Sequence, residues 1–424
     1  MRTLYSLVFL ALLPFVTLRL FLKGRSLPGY RERVSERFGR YDSTAIPDDL
    51  IWIHAVSVGE CEAAFPLIRR LRTERPELNV LMTCTTATGS SRIQAVLGNS
   101  VIHVYLPYDI PWFVRRFLDH FKPMMGIVME TEIWPNLFIE ASRRNIPIVI
   151  ANGRLSDRSV RGYARIKALL KPALESISAV AAQSKDDALR YRQLGLADTR
   201  VHNVGNIKFD ISWSDDQARD SHELRARLFG SRPVLVAGST HPGEEELVLI
   251  SFKQLRETFR DLVLVLVPRH PERAKACQAL CQEAGFTSQA LSALDSFSSQ
   301  DDILVIDRVG ELRRFYGCSD AAYIGGSLVP HGGQNPLEPL IAGVPVLFGP
   351  HMMNFKEIRT LILNAEAGYE IHSAQELSKQ VTHLLSNAEN AHAMGEGGSR
   401  MISANQGALT RLMGCIAPFL PSTP

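Results

Sequence analysis

The strongest constraint on this chain is a repeated unit: an apolar run, a turn rich in Gly, Ser, Thr or carboxylates, then helical periodicity. Leu50–His54 passes through Ala55-Val56-Ser57-Val58-Gly59-Glu60 into a helical stretch over residues 61–72. The runs 80–84, 101–106, 126–129, 146–151 and 179–182 continue the series, and 200–206 closes it. After a polar stretch, 212–221, the rhythm resumes with apolar runs at 233–237, 262–267, 303–307, 321–324 and 344–348. Unbroken apolar runs belong to strands covered on both faces, and alternation with helices calls for parallel pairing. The fold class is therefore α/β, with two doubly wound, Rossmann-like sheets. A length of 424 residues exceeds one ordinary core. The expected domains are 23–211 and 222–424, joined by the linker 212–221, with the last helix free to return to the first domain.

Ligands bind such sheets beyond the carboxyl ends of the strands. Polar residues gather there: Ser57 and Glu60, residues 85–90, Glu130 and Glu132, Asn152 and Arg154. Glu60 begins a helix, where a carboxylate either favours the dipole or serves as a general base. Glu130 and Glu132 alternate along a stretch read as extended, so only one of them faces a given side.

In the second half, the run 321–324 leads into Gly325-Gly326-Ser327-Leu328-Val329-Pro330-His331-Gly332-Gly333-Gln334-Asn335-Pro336-Leu337-Glu338-Pro339, with a helix expected over 340–342. The glycines permit positive φ and close approach of a ligand to the backbone. Free N–H groups at a helix start favour an anion. Asn335 and Glu338, three apart, share one helical face, and Glu338 is an acceptor suited to a vicinal diol such as a ribose. Gly238-Ser239 at another helix start, with Arg269 nearby, reads as a phosphate cradle. The alternative reading of Arg269 is a surface ion-pair residue.

A net charge of +3 argues against nucleic acid as a partner, although basic residues cluster from Arg143 to Lys171. The six cysteines complete no zinc spacing and read as reduced thiols of a cytoplasmic protein. No Asp-x-Asp, His-Glu-x-x-His, Walker A or Gly-x-Gly-x-x-Gly string occurs, so no metal and no cofactor is expected, and a phosphate falls to Arg, Lys and backbone N–H. Residues 3–22 are almost wholly apolar, broken by Pro14 and Arg19, and basic residues follow from Lys23 to Arg40. A span needs roughly 20 such residues. The segment reads as a membrane anchor (residues 1–22), spanning or lying in the interface, with the body kept cytoplasmic by the basic flank.

Two doubly wound halves resemble the GT-B glycosyltransferases, and several strings go further. His54-Ala55-Val56-Ser57-Val58-Gly59-Glu60, Glu130-Thr131-Glu132-Ile133-Trp134-Pro135, Asn152-Gly153-Arg154-Leu155-Ser156, Gly205-Asn206-Ile207-Lys208-Phe209-Asp210, Pro268-Arg269-His270-Pro271 and the stretch 331–339 are similar to the 3-deoxy-D-manno-oct-2-ulosonate (Kdo) transferases of lipopolysaccharide assembly. The resemblance implies transfer of Kdo from CMP-β-Kdo to lipid IVA at the cytoplasmic face of the inner membrane, by one inverting displacement. It implies Glu60 as base and Glu130 and Lys208 as stabilisers of the transition state. It implies a CMP site at Pro268 and Arg269, at Val309, Gly310 and Glu311, and at Asn335, Pro336, Leu337 and Glu338. The competing readings are a sugar-nucleotide epimerase of the same architecture and a membrane-attached sugar-nucleotide-binding protein without chemistry.

Overall fold

The computed structural model describes residues 1–25, 27–42, 46–293, 297–298 and 300–421. The chain forms two compact units, Met1–Asp210 with Gln406–Pro424, and Ile211–Asn405. In the first, β1 (Leu50–His54), β2 (Asn79–Cys84), β3 (Ile102–Tyr105), β4 (Met125–Met129), β5 (Ile148–Gly153), β6 (Ile177–Ala182) and β7 (Val201–Asn203) form one sheet ordered β3-β2-β1-β4-β5-β6-β7. Every pairing in it is parallel. Its strands read as continuous apolar runs because both faces are covered. Ile51 and Ile53 enter one core with Met82 and Ile127, whereas Leu50 and Trp52 enter the other with Phe117 and Phe138. Gly126 sits beneath the Trp52 ring, where a Cβ would lie 2.6 Å from an indole carbon.

The C-terminal helix Ala408–Ile416 belongs to this first unit, placing Ala408, Leu412, Met413 and Ile416 in the first core. Asp210 secures the return. Its carboxylate accepts from the backbone N–H of Gly407 at 2.5 Å and from that of Leu409.

The second unit holds β8 (Val234–Thr240), β9 (Val263–Pro268), β10 (Ser288–Ala290), β11 (Ile303–Val305), β12 (Ala321–Ile324), β13 (Val346–Phe348) and β14 (Gly368–Glu370). The order is β10-β11-β9-β8-β12-β13-β14, again all parallel. The short strands β10 and β14 have no counterpart among the apolar runs of the sequence: they are edge strands, and their residues are mostly half-buried.

The polar stretch 212–221 is not a linker. Most of it is the first half of the helix Asp215–Leu228, and the second unit begins at Ile211 rather than at 222. Ser214 and Gln217 cap that helix reciprocally, at 3.2 and 3.1 Å, and it buries only Ser221, Leu224 and Leu228. A helix with so narrow an apolar stripe looks like a solvated connection in sequence.

Candidate active site

In the first sheet the strand order reverses between β1 and β4, so the chain diverges from this point in opposite directions. Such a switch point opens a crevice at the carboxyl ends of its two strands. Glu60 follows β1. Ser57 caps the helix Val58–Glu74, accepting from the Glu60 N–H at 3.4 Å. The Glu60 carboxylate turns back, taking the Val56 N–H at 2.7 Å and the Ser57 hydroxyl at 3.0 Å. Glu60 thus acts at the helix start, as the first of its two readings has it. It completes a reciprocal cap, and it stands at the crevice.

Glu130 follows β4 in the left-handed conformation, with φ at +57°. That turn ends the alternation expected of an extended stretch. Burial pushes the Glu60 carboxyl up to about 7, the Glu130 and Glu132 charges push the same way, and the Val56 and Ser57 donors oppose them. Burial and the Glu130 charge likewise raise Glu132. Lys208 brings the opposing charge, its Nζ 4.0 Å from Glu130 Oε1. The lysine rides on a short turn, Ile207–Phe209, capped by Asn206, whose Oδ1 accepts the Lys208 N–H at 3.0 Å.

Sequence reasoning placed Asn152 at this edge without giving it a task. It is the penultimate residue of β5, also left-handed at φ +53°, and is fully buried. Its Oδ1 accepts the Ile207 N–H at 3.1 Å, which holds the turn that carries Lys208. Asn is among the few residues that adopt this conformation with little strain, a signal visible in the Asn-Gly pair.

The second sheet reverses between β8 and β12. Here N–H groups of the glycine turn after β12 are taken by the chain's own Glu244 carboxyl. This residue opens the helix Glu244–Thr258 after β8 and is fully buried. Its Oε1 accepts from the Tyr323 hydroxyl at 2.6 Å and from the Ser327 and Leu328 N–H groups at 3.0 Å. Its Oε2 accepts from the Gly326 N–H at 2.7 Å and the His241 N–H at 2.9 Å. The Gly238-Ser239 turn is likewise filled by protein: a Cβ on Gly238 would lie 2.0 Å from Tyr316 Oη, and one on Gly325 would lie 2.3 Å from the Ser239 carbonyl oxygen. These glycines let two turns pack together.

Around that filled core stand the other residues singled out in the sequence. Arg269 is exposed beyond β9 and makes no ion pair among the described residues; its N–H donates to Thr240 at 2.9 Å. Asn335 Nδ2 donates to Glu338 Oε1 at 3.2 Å, and Asn335 Oδ1 accepts the Leu337 N–H at 3.1 Å. The helix runs Leu337–Ile341 rather than 340–342. Pro268, Pro336 and Leu337 are buried and offer no side chain to solvent. Val309 is exposed, Gly310 has φ +94°, and Glu311 pairs with Arg314 at 3.1 Å. Sequence reasoning overlooked the imidazoles. His241 stacks on His331 at 4.2 Å and 13°, with Gln334 Nε2 3.1 Å from its Nε2. Burial, then the His331 charge, hold His241 down to about 4, so it stands neutral at physiological pH.

The basic cluster divides. Arg143 and Arg144 bind Glu140 at 3.0 and 3.2 Å, and Lys171 lies 3.8 Å from Glu175. Arg154, Arg158, Arg161, Arg165 and Lys167 make no ion pair among the described residues. The helix Asp157–Arg165 that carries three of them buries no side chain.

Residues 32–211 match the family model described as 3-deoxy-D-manno-octulosonic-acid transferase (kdotransferase). A 3-deoxy-D-manno-octulosonic acid transferase of Haemophilus influenzae is 40% identical over 421 residues, 99% of each chain. The chain belongs to the Kdo transferases. It is thus a glycosyltransferase of lipopolysaccharide biosynthesis, and that role implies a Kdo donor, a lipid acceptor and a membrane-associated location. Solved structures place the two sheets in the GT-B class. A glycosyltransferase from Rickettsia africae aligns with a TM-score of 0.56 at 13% identity, covering 88% of this chain and 99% of that one. A UDP-GlcNAc 2-epimerase from Neisseria meningitidis reaches 0.57 at 14%, covering 87% and 99%. Transferases and epimerases share this architecture, so the fold alone does not separate the two activities. The full-length relative does.

Proposed function

We propose that this Kdo transferase moves Kdo from CMP-β-Kdo to lipid IVA at the cytoplasmic face of the inner membrane, with inversion in one displacement. Glu60 takes the proton of the acceptor hydroxyl as its oxygen bonds to the anomeric carbon of Kdo. The bond from that carbon to the CMP phosphate breaks, and CMP leaves with the electron pair. The observation that carries this reading is a buried carboxyl raised to about 7 at the first switch point. A base poised near the working pH combines a useful deprotonated fraction with enough basicity. Glu130 and Lys208, 4.0 Å apart, serve the transition state, the ammonium facing an acidic sugar or departing phosphate.

In this reading the first unit takes the acceptor and the second takes CMP. Arg269 faces the phosphate, Glu338 with its Asn335 partner takes the ribose diol, and Pro268, Val309, Gly310, Glu311, Pro336 and Leu337 complete the nucleotide site. The unpaired arginines 154, 158, 161 and 165 suit the phosphates of lipid IVA. Mass spectrometry of lipid IVA incubated with the enzyme and freshly generated CMP-Kdo tests the proposal. Each transferred sugar adds one Kdo increment, and lipid IVA recovered unmodified contradicts the assigned acceptor.

A further inference from the structure

The apolar helix Arg2–Lys23 is long enough to cross a bilayer, with mean hydropathy 2.0 and 6% of its most apolar window buried. At 1.5 Å per residue it extends about 33 Å, against a hydrocarbon core about 30 Å thick. A crossing helix would therefore leave its two ends on opposite sides of the membrane. In this structure both ends are bound to the same unit.

At the start, Arg2 donates to Asn136 Oδ1 at 2.7 Å and pairs with the buried Glu140. The Tyr5 hydroxyl donates to Asp109 Oδ2 at 3.0 Å, and Asn136 Nδ2 donates to Ser6 Oγ at 3.1 Å. Phe9 meets the Tyr108 ring at 6.4 Å, and Leu13 is buried with Ile110 and Phe113. Positions 2, 5, 6, 9 and 13 form one helical stripe, so the first half of the helix lies along the unit rather than leaving it. At the far end, the Arg31 guanidinium donates to the Phe21 carbonyl at 3.2 and 3.1 Å, and the Gly29 carbonyl accepts from the Tyr105 hydroxyl at 3.3 Å. Tyr105 closes β3, the edge strand of the first sheet, and is buried.

The remaining faces are apolar and open: Leu4, Leu7, Phe15, Leu18 and Leu22 are each more than half exposed. Trp112 is exposed beside Phe113, at 5.6 Å between rings, on the helix against which Leu13 packs. Arg19, Arg25, Arg40 and Arg116 are exposed and make no ion pair among the described residues. An apolar helix with an aromatic neighbour and a basic rim matches the chemistry of an anionic bilayer surface.

We propose that the helix Arg2–Lys23 lies in the plane of an anionic leaflet, with both ends on the side of the first unit, and does not cross. The proposal rests on the membrane-associated reading of the protein but on no step of its chemistry. The test uses full-length Thr3→Cys in a Cys415→Ala background, in inner-membrane vesicles turned cytoplasmic face outward. Labelling by a membrane-impermeant maleimide should be as extensive in intact vesicles as after detergent. A thiol that reacts only after permeabilisation puts residue 3 across the membrane and overturns the proposal, as does recovery of the protein in the soluble fraction. A second readout avoids labelling. Arg2→Ala should lower the Tm of the solubilised full chain by about 2–4 °C, the response of a unit this size to one lost contact. A crossing helix holds Arg2 away from Glu140, and the Tm then stays where it was. Protein that labels from outside yet transfers no Kdo would count against the proposed reaction and leave this topology standing.

Discussion

The two sheets meet the same problem at the same place and solve it differently. Each reverses its strand order beside its first strand, and each puts a glutamate at the start of the helix that follows that strand. Glu244 accepts five hydrogen bonds, three of them from consecutive backbone N–H groups. Glu60 accepts two and faces two more carboxylates. A buried carboxyl that gathers many donors fixes the turns around it, whereas burial with few donors and like charges nearby raises the Glu60 pKa. The contrast marks Glu244 as structural and leaves Glu60 as the proposed base, although the local sequences give both the same position.

The contrast breaks first at Glu244. Replacing it by Leu strands the donors of Gly326, Ser327 and Leu328, each orphaned group costing about 1–3 kcal/mol. The expected outcome is loss of cooperative unfolding of the second unit and of CMP binding, read by denaturant titration and calorimetry. A stable, CMP-binding Glu244→Leu protein would mean that the carboxylate does not organise the turn.

Asn152 sharpens the other side. Asn152→Gly keeps the left-handed backbone free of strain but releases the Ile207 N–H, and with it the seat of Lys208. Transfer should fall about tenfold in kcat, the equivalent of about 1.4 kcal/mol, with CMP affinity unchanged. Equal losses in transfer and in CMP binding would point to general unfolding instead.

Glu60→Gln should also leave a mark on stability. The folded-state pKa near 7 lies above the ordinary carboxylate value, so ionisation of Glu60 weighs against the native state. The Gln variant should gain on the parent in full above pH 7, the gain shrinking as pH falls and vanishing near the ordinary value of 4.5. Thermal melts at pH 5 and pH 8 check the sign.

The smallest effect is expected at the exposed basic helix. Arg158→Ala with Arg161→Ala should raise KM for lipid IVA a few-fold with little change in kcat, as for charge contacts made equally in ground and transition states. An unchanged KM would leave these arginines as a solvated face.

Much of this was legible in the sequence, because a parallel sheet covered on both faces writes its strands as continuous apolar runs. The edge strands β10 and β14 lack that signature, and so does the helix Asp215–Leu228 with its narrow buried stripe. The site was legible by position and not by satisfaction. Glu60, Glu130, Lys208, Arg269, Asn335 and Glu338 all lie in the turns and helix starts that follow strands, where the alternation directs attention. Whether the glycine turn was empty or filled depended on a carboxylate some eighty residues earlier in the chain, beyond the reach of local reasoning. The same holds for Glu130, whose left-handed turn breaks the period-two alternation expected there. The His241–His331 stack joins two turns far apart in sequence, and neither histidine carries a local motif that would have singled it out.

The central claim is that Glu60 is the base, and the pH dependence of Kdo transfer tests it most directly. For the parent enzyme, kcat should rise through an acid limb near pH 7 to a plateau, since the base must be ionised. Glu60→Gln should transfer on the order of 10²–10⁴-fold more slowly, with the limb gone and CMP affinity retained. Near-parental transfer by Glu60→Gln at pH 8 would contradict the account and move the base to Glu130 or Glu132.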